Sequence, residues 1–323
     1  MQAAPRTAIV HLVRYSNGIR PFEAFMGAYE RLDPGLEHEL VLLFKGFPSA
    51  RGTEPYRDRA AAGAGGCPAS VHVSDRGVDL TAYLSAATTL HHERLCFLNS
   101  FSEPVHSGWL GLLDAALEDP GVGAAGSTGS WASDLSYHLF QLGFPTAYAS
   151  ALPGRVPARL AMHQVAGAAY HGPARHAARV LLNLLADPFW QSGFPAPHLR
   201  TNAFLVDRLL LLSLHTGDLG GKRAAYRLES GRRSMTAQLR ARGRPPVVVG
   251  RDGRRYRWRD WPASETFWCA EQANLLVSDN QTRRYDSASE EQRAVMSSIA
   301  WGSQQRTRAS SGQETGTAGE WSR

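Results

Sequence analysis

The chain has 323 residues, 43% of them apolar and 20% charged, with a formal net charge of +6. That length gives room for one large α/β domain or two medium ones, and the composition is that of a soluble globular protein. No run approaches the roughly 18–20 apolar residues that span a bilayer, and the longest candidate, FLVDRLLLLSL, is broken by Asp207 and Arg208. The first residues carry no charged segment followed by an apolar core, so no signal peptide is expected. The three cysteines, Cys67, Cys96 and Cys269, lie far apart without ligand spacing. This usage fits a reducing compartment, and the expected location is the cytoplasm. Basic residues concentrate in Arg223–Arg259. No nucleic-acid recognition motif or aromatic-interleaved basic strand accompanies them, so nucleic acid is not the expected partner.

In chain order, Ala8–Val13 (AIVHLV) reads as a first strand, broken by the turn RYSNGIR. Phe22, Phe25, Met26 and Tyr29 recur at helical spacing, so Pro21–Leu32 is predicted to be a helix with proline in its first turn. Glu39–Phe44 (ELVLLF) is a continuous apolar run, as in a parallel strand covered on both faces. KGFPSARG leaves it as a loop. Ser70–Ser74 is a third strand and Asp79–Leu90 a helix, with Asp79 its expected cap. Leu95–Leu98 is a fourth strand. Trp109, Leu112, Leu113, Ala116 and Leu117 share one stripe, so Ser107–Glu118 is a helix capped by Ser107. Val122–Gly126 is a fifth strand.

Beyond it the pattern is less regular. Ala174–Leu185 reads as a helix, and Leu199–Val206 as a strand followed by a short helix. Gly217–Gly221 is a glycine-rich loop too irregular for a phosphate-binding motif. Ser234–Arg242 is a helix, and PPVVVGRDGRRYRW a hairpin turning at Asp252-Gly253. Asn274–Tyr285 is read as a surface loop with a turn at Asp279-Asn280, and Glu290–Trp301 as the last helix. Ser303–Arg323 lacks aliphatic residues and is expected to be a disordered tail.

Strands alternating with helices predict a mostly parallel sheet with helices on both faces. Such sheets bind ligands beyond the carboxyl ends of their strands. The segment FLNSFSEP ends the fourth strand there in a polar cluster.

The block FLNSFSEPVHSGWLGLLDAALEDPGVGAAGS resembles the nucleotide-sugar-dependent glycosyltransferases of the family-two type with the A-type, Rossmann-like fold. SDRGVDLTAYLSAATTL and VHLVRYSNGIRPFEAFMGAY are similar to the preceding helix and to the opening strand, loop and helix of that family. HLRTNAFLVDRLLLL and YRLESGRRSMTAQLRARG are similar to its acceptor-side strand and to the segment that carries its base. The resemblance covers roughly Ala8 to Gly250. It implies a nucleotide-sugar-binding half over 1–130, then an acceptor-side half and C-terminal extension of the same domain over 131–302. It further implies an inverting hexosyl transfer from a nucleoside-diphosphate sugar to a glycan acceptor in polysaccharide biosynthesis.

Carried over residue by residue, the resemblance assigns the catalytic base to Glu229. Their place at carboxyl ends of strands makes Arg14, Asn17, Gly18, Asp75, Gly77, Asp79 and Asn99 the expected nucleotide-sugar contacts. They are joined on the acceptor-side strand by Asn202 and by Arg200, whose burial calls for either a protein carboxylate or a ligand phosphate as partner. Arg284 joins them because Gln281, Arg284 and Tyr285 are similar to the Gln-x-x-Arg-Trp motif of processive members. Two departures stand out. Where the family has Asp-any-Asp, this chain has Asn99-Ser100-Phe101, with Glu103 the nearest carboxylate. Divalent cations want anionic oxygens. Either Mg²⁺ or Mn²⁺ is held weakly by Glu103 and Asn99, or arginines and backbone N–H groups meet the leaving diphosphate without metal. The family's acidic pair is Glu229-Ser230 here, which leaves Glu229 as the one carboxylate. Two other readings stay open, a non-catalytic nucleotide- or sugar-binding relative and a basic nucleic-acid-associated protein.

Overall fold

The structure is a computed structural model that describes residues 5–64, 68–133, 135, 192–217 and 227–302. Its centre is an eight-stranded sheet. In chain order the strands are β1 (Thr7–Arg14), β2 (His38–Lys45), β3 (Ala69–Val73), β4 (Arg94–Leu98), β6 (Ala124–Gly126), β9 (Ala203–Asp207), β10 (Val247–Val249) and β11 (Arg255–Tyr256). Across the sheet the order is β3-β2-β1-β4-β9-β6-β10-β11. The pairs β3–β2, β2–β1, β1–β4 and β6–β10 are parallel. β9 runs antiparallel between β4 and β6, and β11 antiparallel to β10. Two short antiparallel ribbons stand apart: β5 (Glu103–Pro104) with β12 (Val277–Ser278), and β7 (Gly129–Ser130) with β8 (His198–Leu199).

The apolar runs follow from burial on both faces. Along β1, Ala8, Val10 and Leu12 enter one core, while Ile9 and Val13 enter the other. Helices α1 (Arg20–Arg31), α2 (Glu54–Ala64) and α4 (Trp109–Ala116) cover the second face, through Phe22, Phe25, Met26, Tyr56, Ala60, Trp109 and Leu113. Helix α3 (Asp79–Thr89) covers the first, with α5 (Arg208–Leu212), α6 (Met235–Ala241) and the last helix, α8 (Glu290–Trp301). Full burial of one large apolar side chain contributes about 1.5–3 kcal/mol. Leu43, Tyr83, Phe97, Phe204 and Trp301 on this face therefore outweigh any local propensity. Among the described residues, no helix is long and apolar enough to cross a membrane.

Several expectations change. Within the mostly parallel sheet the strand at Ala203–Asp207 runs antiparallel, and Arg200 precedes that strand instead of lying in it. Helix α4 starts at Trp109 from a left-handed Gly108 (φ 77°), with no side-chain cap from Ser107. The cause is packing: Gly108 N–H donates to Asp33 O at 2.6 Å, and a Cβ on Gly35 would meet Gly108 Cα at 2.7 Å. The expected loop over Asn274–Tyr285 instead contains β12 and helix α7 (Asn280–Asp286). Its polar sequence hides a helix whose start is fixed by Asp279, which accepts from Gln281 N–H and Thr282 N–H. Helix α2 was not foreseen either. Ala174–Leu185, most of Gly217–Gly221 and the tail 303–323 lie outside the described residues.

One core residue is unusual. His11, on β1, is wholly buried, and neither ring nitrogen has a hydrogen-bond partner. It stacks on Phe25 with ring centroids 3.8 Å apart. Burial without a partner holds its pKa down at about 3, so the ring is neutral.

Candidate active site

Strands β1 to β4 deliver polar residues to the edge at their carboxyl ends. β1 ends in Arg14 and β2 in Lys45, and the loop after β3 carries Asp75, Gly77 and Asp79. The Arg14 guanidinium stands 3.7 Å from Asp75 and 3.9 Å from Asp79. Lys45 is completely buried, donates to Gly77 O at 2.9 Å and lies 3.9 Å from Asp79. Burial, with Arg14 as a second cause, lowers the Lys45 pKa, and Asp79 and Asp75 act against that shift. Arg14 Nε and Asp79 Oδ1 are buried without hydrogen bonds, so this cluster is held by charge at long range. Asp79 is the first residue of α3 and does not cap it; the preceding residue, Val78, holds the cap position, with its N–H 3.4 Å from Thr81 Oγ1. Asn17 and Gly18 end a short 3-10 turn, where Gly18 adopts φ 67° and has open space around it.

Beyond β4 the polar residues form a connected, mostly buried network. Asn99 Oδ1 accepts from Phe101 N–H and lies 2.9 Å from Ser102 Oγ. Ser102 Oγ in turn lies 2.6 Å from Asn202 O, and Asn99 N–H donates to Asn202 O. Asn202 Oδ1 accepts from Thr128 at 2.6 Å, while its Nδ2 is buried without a partner. The Asn99 loop is thereby fastened to the turn before β9. That turn also carries Thr201, whose hydroxyl donates to the carboxylate of Glu229. Residues 227–230 are helical. Buried Tyr83, whose hydroxyl is 3.5 Å from Thr201 O, has its pKa raised well above normal, by burial and then by Asp79 and Glu229. Asp79 and Glu229 therefore both act electrostatically on Tyr83.

Arg200 stands at the same turn. Its guanidinium pairs with Asp279 at 2.7 Å, donates to Thr128 Oγ1 at 3.2 Å, and lies 4.0 Å over the Phe267 ring. The carboxylate that partners this arginine belongs to the protein. Phe267 comes from a segment in which Glu265, Trp268, Ala270, Glu271 and Gln272 all have φ between 43° and 55°. Left-handed non-glycine residues cost about 1–3 kcal/mol each and persist where their surroundings fix them. Trp301 Nε1 donates to Phe267 O, Ser297 Oγ to Trp268 O, and Gln272 Nε2 to Thr282 O. Helices α7 and α8 thus hold the strained segment beneath Arg200.

Glu103 and Arg284 fall differently. The Glu103 carboxylate pairs with Arg283 at 2.9 Å. Arg283 also donates to Phe101 O at 3.0 Å and Ser278 Oγ at 3.2 Å. Arg284 is half-buried on α7, and the contacts to Phe101 O and Glu103 just described are those of its neighbour Arg283. Among the described residues, no group of three His, Cys, Asp or Glu could hold a metal ion. Sequence reading missed Lys45, Ser102, Thr128, Thr201, Asp279 and Arg283. Of these only Lys45 carried a signal, a charge ending an otherwise apolar strand.

No family model matches the sequence, and no curated protein matches it. Similar solved structures include glucosyl-3-phosphoglycerate synthase from Mycobacterium tuberculosis in complex with Mn²⁺, UDP and glucosyl-3-phosphoglycerate. It is 17% identical, with 65% of this chain and 59% of that one covered and a TM-score of 0.34. The galactosyltransferase LgtC is 13% identical, with 66% and 60% covered and a TM-score of 0.35. A mannosyltransferase from Pyrobaculum calidifontis in complex with GDP-Man and Mn²⁺ is 18% identical, with 58% and 76% covered and a TM-score of 0.31. The chain spans about six tenths of the length of the first two. These overlaps are too partial to carry a conclusion about activity. The fold is read from the sheet itself: mostly parallel, covered by helices on both faces, with its polar residues gathered at one carboxyl edge.

Proposed function

We propose that this chain is a glycosyltransferase that moves a sugar from a nucleoside-diphosphate sugar to a hydroxyl of a glycan or similar acceptor. The observation that carries the reading is the hydrogen bond between Thr201 and Glu229 at the edge where Asn99, Asn202 and Arg200 converge. It supports the reading by bringing a carboxylate to that edge, where a general base would act on the acceptor hydroxyl. In the reaction, the acceptor oxygen bonds to the anomeric carbon while that carbon's bond to the diphosphate oxygen breaks. The acceptor proton passes to Glu229, and the bonding electron pair leaves with the nucleoside diphosphate. Arg14, Asn17, Gly18, Asp75, Gly77 and Asp79 hold the nucleoside, and Asn99, Arg200, Asn202 and Arg284 line the path of the diphosphate and sugar. Attack from the face opposite the leaving group makes the transfer inverting. A glycan-building role in the cytoplasm belongs to the same reading.

The test is a soak or saturation-transfer measurement with uridine, guanosine and thymidine diphosphates, followed by product analysis with the matching sugar nucleotides. We expect a nucleotide at the edge formed by Arg14–Gly18, Asp75–Asp79 and Asn99–Glu103. Binding only elsewhere overturns the reading. Binding without turnover of any donor reduces it to a nucleotide-binding protein.

A further inference from the structure

The Asn99–Glu103 loop does not fit a divalent cation. Such an ion takes several anionic or free carbonyl oxygens. Asn99 Oδ1 already accepts from Phe101 N–H and is crowded by Ser102 Oγ 2.9 Å away. The Glu103 carboxylate is already neutralised by Arg283. What stands at the loop is a cation carried by the chain itself.

We propose that Arg283 supplies, in place of a bound divalent cation, the positive charge that meets the diphosphate of the donor. The inference rests on the donor-site reading above. Arg283 is built for it in three ways. It is anchored to the loop through Phe101 O, Glu103 and Ser278, so its position is set before any ligand arrives. Those contacts leave Nε–H and one Nη2–H unengaged of its five donors, and 39% of its side chain is exposed. An arginine fork suits two phosphate oxygens at once. Arg200 is less suited: its side chain is 15% exposed and its charge is balanced by wholly buried Asp279. The charge count also agrees. Two carboxylates at this loop would repel a diphosphate unless a metal intervened. Asn99 and the Glu103–Arg283 pair together add no net negative charge, so a metal-free approach is allowed. A diphosphate, with more than one negative charge, then competes well with the single Glu103 carboxylate for the guanidinium.

Isothermal titration of the full chain with UDP, GDP, dTDP and their nucleosides, in EDTA and in excess MnCl₂, tests this. We expect wild-type diphosphate affinity to change less than about threefold between the two conditions, a difference well under 1.4 kcal/mol. Arg283→Met is expected to weaken diphosphate binding roughly tenfold or more, the share of a charge-assisted hydrogen bond, while nucleoside binding holds. Arg283→Lys, which keeps the charge, should recover most of that loss. Arg283 also braces α7, so a general loss of structure in Arg283→Met would weaken nucleoside and diphosphate alike, and Arg283→Lys then decides. The inference is overturned if Mn²⁺ tightens wild-type binding tenfold or more, or if the diphosphate increment survives in Arg283→Met. If no nucleotide binds under any condition, the donor-site reading itself falls, and this inference with it.

Discussion

The Thr201 hydroxyl donates to the Glu229 carboxylate, joining the turn before β9 to the helical residues 227–230. Twenty-eight positions separate the two residues, and the contact puts a carboxylate beside the edge where β4 and β9 meet. The hydroxyl thereby steadies one oxygen of that carboxylate.

Glu229→Gln keeps the volume and removes the proton-accepting charge. Turnover should fall by roughly 10²–10⁴, the usual share of general base catalysis. Donor affinity and melting temperature should barely move. Kinetics beside calorimetric donor titration check it, and a near-normal rate would remove Glu229 from the reaction.

Thr201→Val deletes a donor to that carboxylate while keeping the shape. A hydrogen bond to the charged form lowers a carboxyl pKa, so losing it raises the pKa. The acidic limb of the kcat/KM profile should therefore move to higher pH. An unshifted limb with an intact fold would mean that Thr201 does not tune Glu229.

Asp279→Ala leaves the Arg200 guanidinium without its carboxylate and removes the cap of α7. Breaking a buried pair costs about 3–5 kcal/mol, so urea unfolding should show a loss of that order. Asp279→Asn retains an acceptor for the helix N–H groups and should cost clearly less. Equal losses would show that capping is not part of the effect.

His11 makes stability fall in acid. Its folded pKa is about 3, below the ordinary value of 6.5, so between those limits the unfolded chain binds a proton that the folded chain does not. Stability drops as pH falls through that window, by up to about 1.4 kcal/mol per pH unit from this residue. His11→Phe preserves a ring against Phe25 and should flatten that slope even if overpacking lowers the absolute stability. Denaturation midpoints of the two proteins from pH 7 to 4 make the comparison.

Much of the first half was legible in the sequence. Strands β1 to β4, helices α1 and α3, the Asp252-Gly253 hairpin and α8 all fell within a residue or two of their expected bounds. Burial period, proline position and turn chemistry are local properties, and local residues carry them. The carboxyl-edge location of the polar residues followed from the same alternation. What the tertiary structure decided is direction and partnership. Nothing in Ala203–Asp207 says whether it runs parallel or antiparallel, because a strand buried on both faces looks the same either way. Helix α7 is polar, and its start becomes visible only when Asp279 is seen buried against Arg200. Arg283 and Arg284 are adjacent and chemically identical. Only the helix phase sends Arg283 to Phe101 O, 182 positions away in sequence, and to Glu103. Local physics set which residues are apolar, turning or charged, and long-range packing set which charges meet.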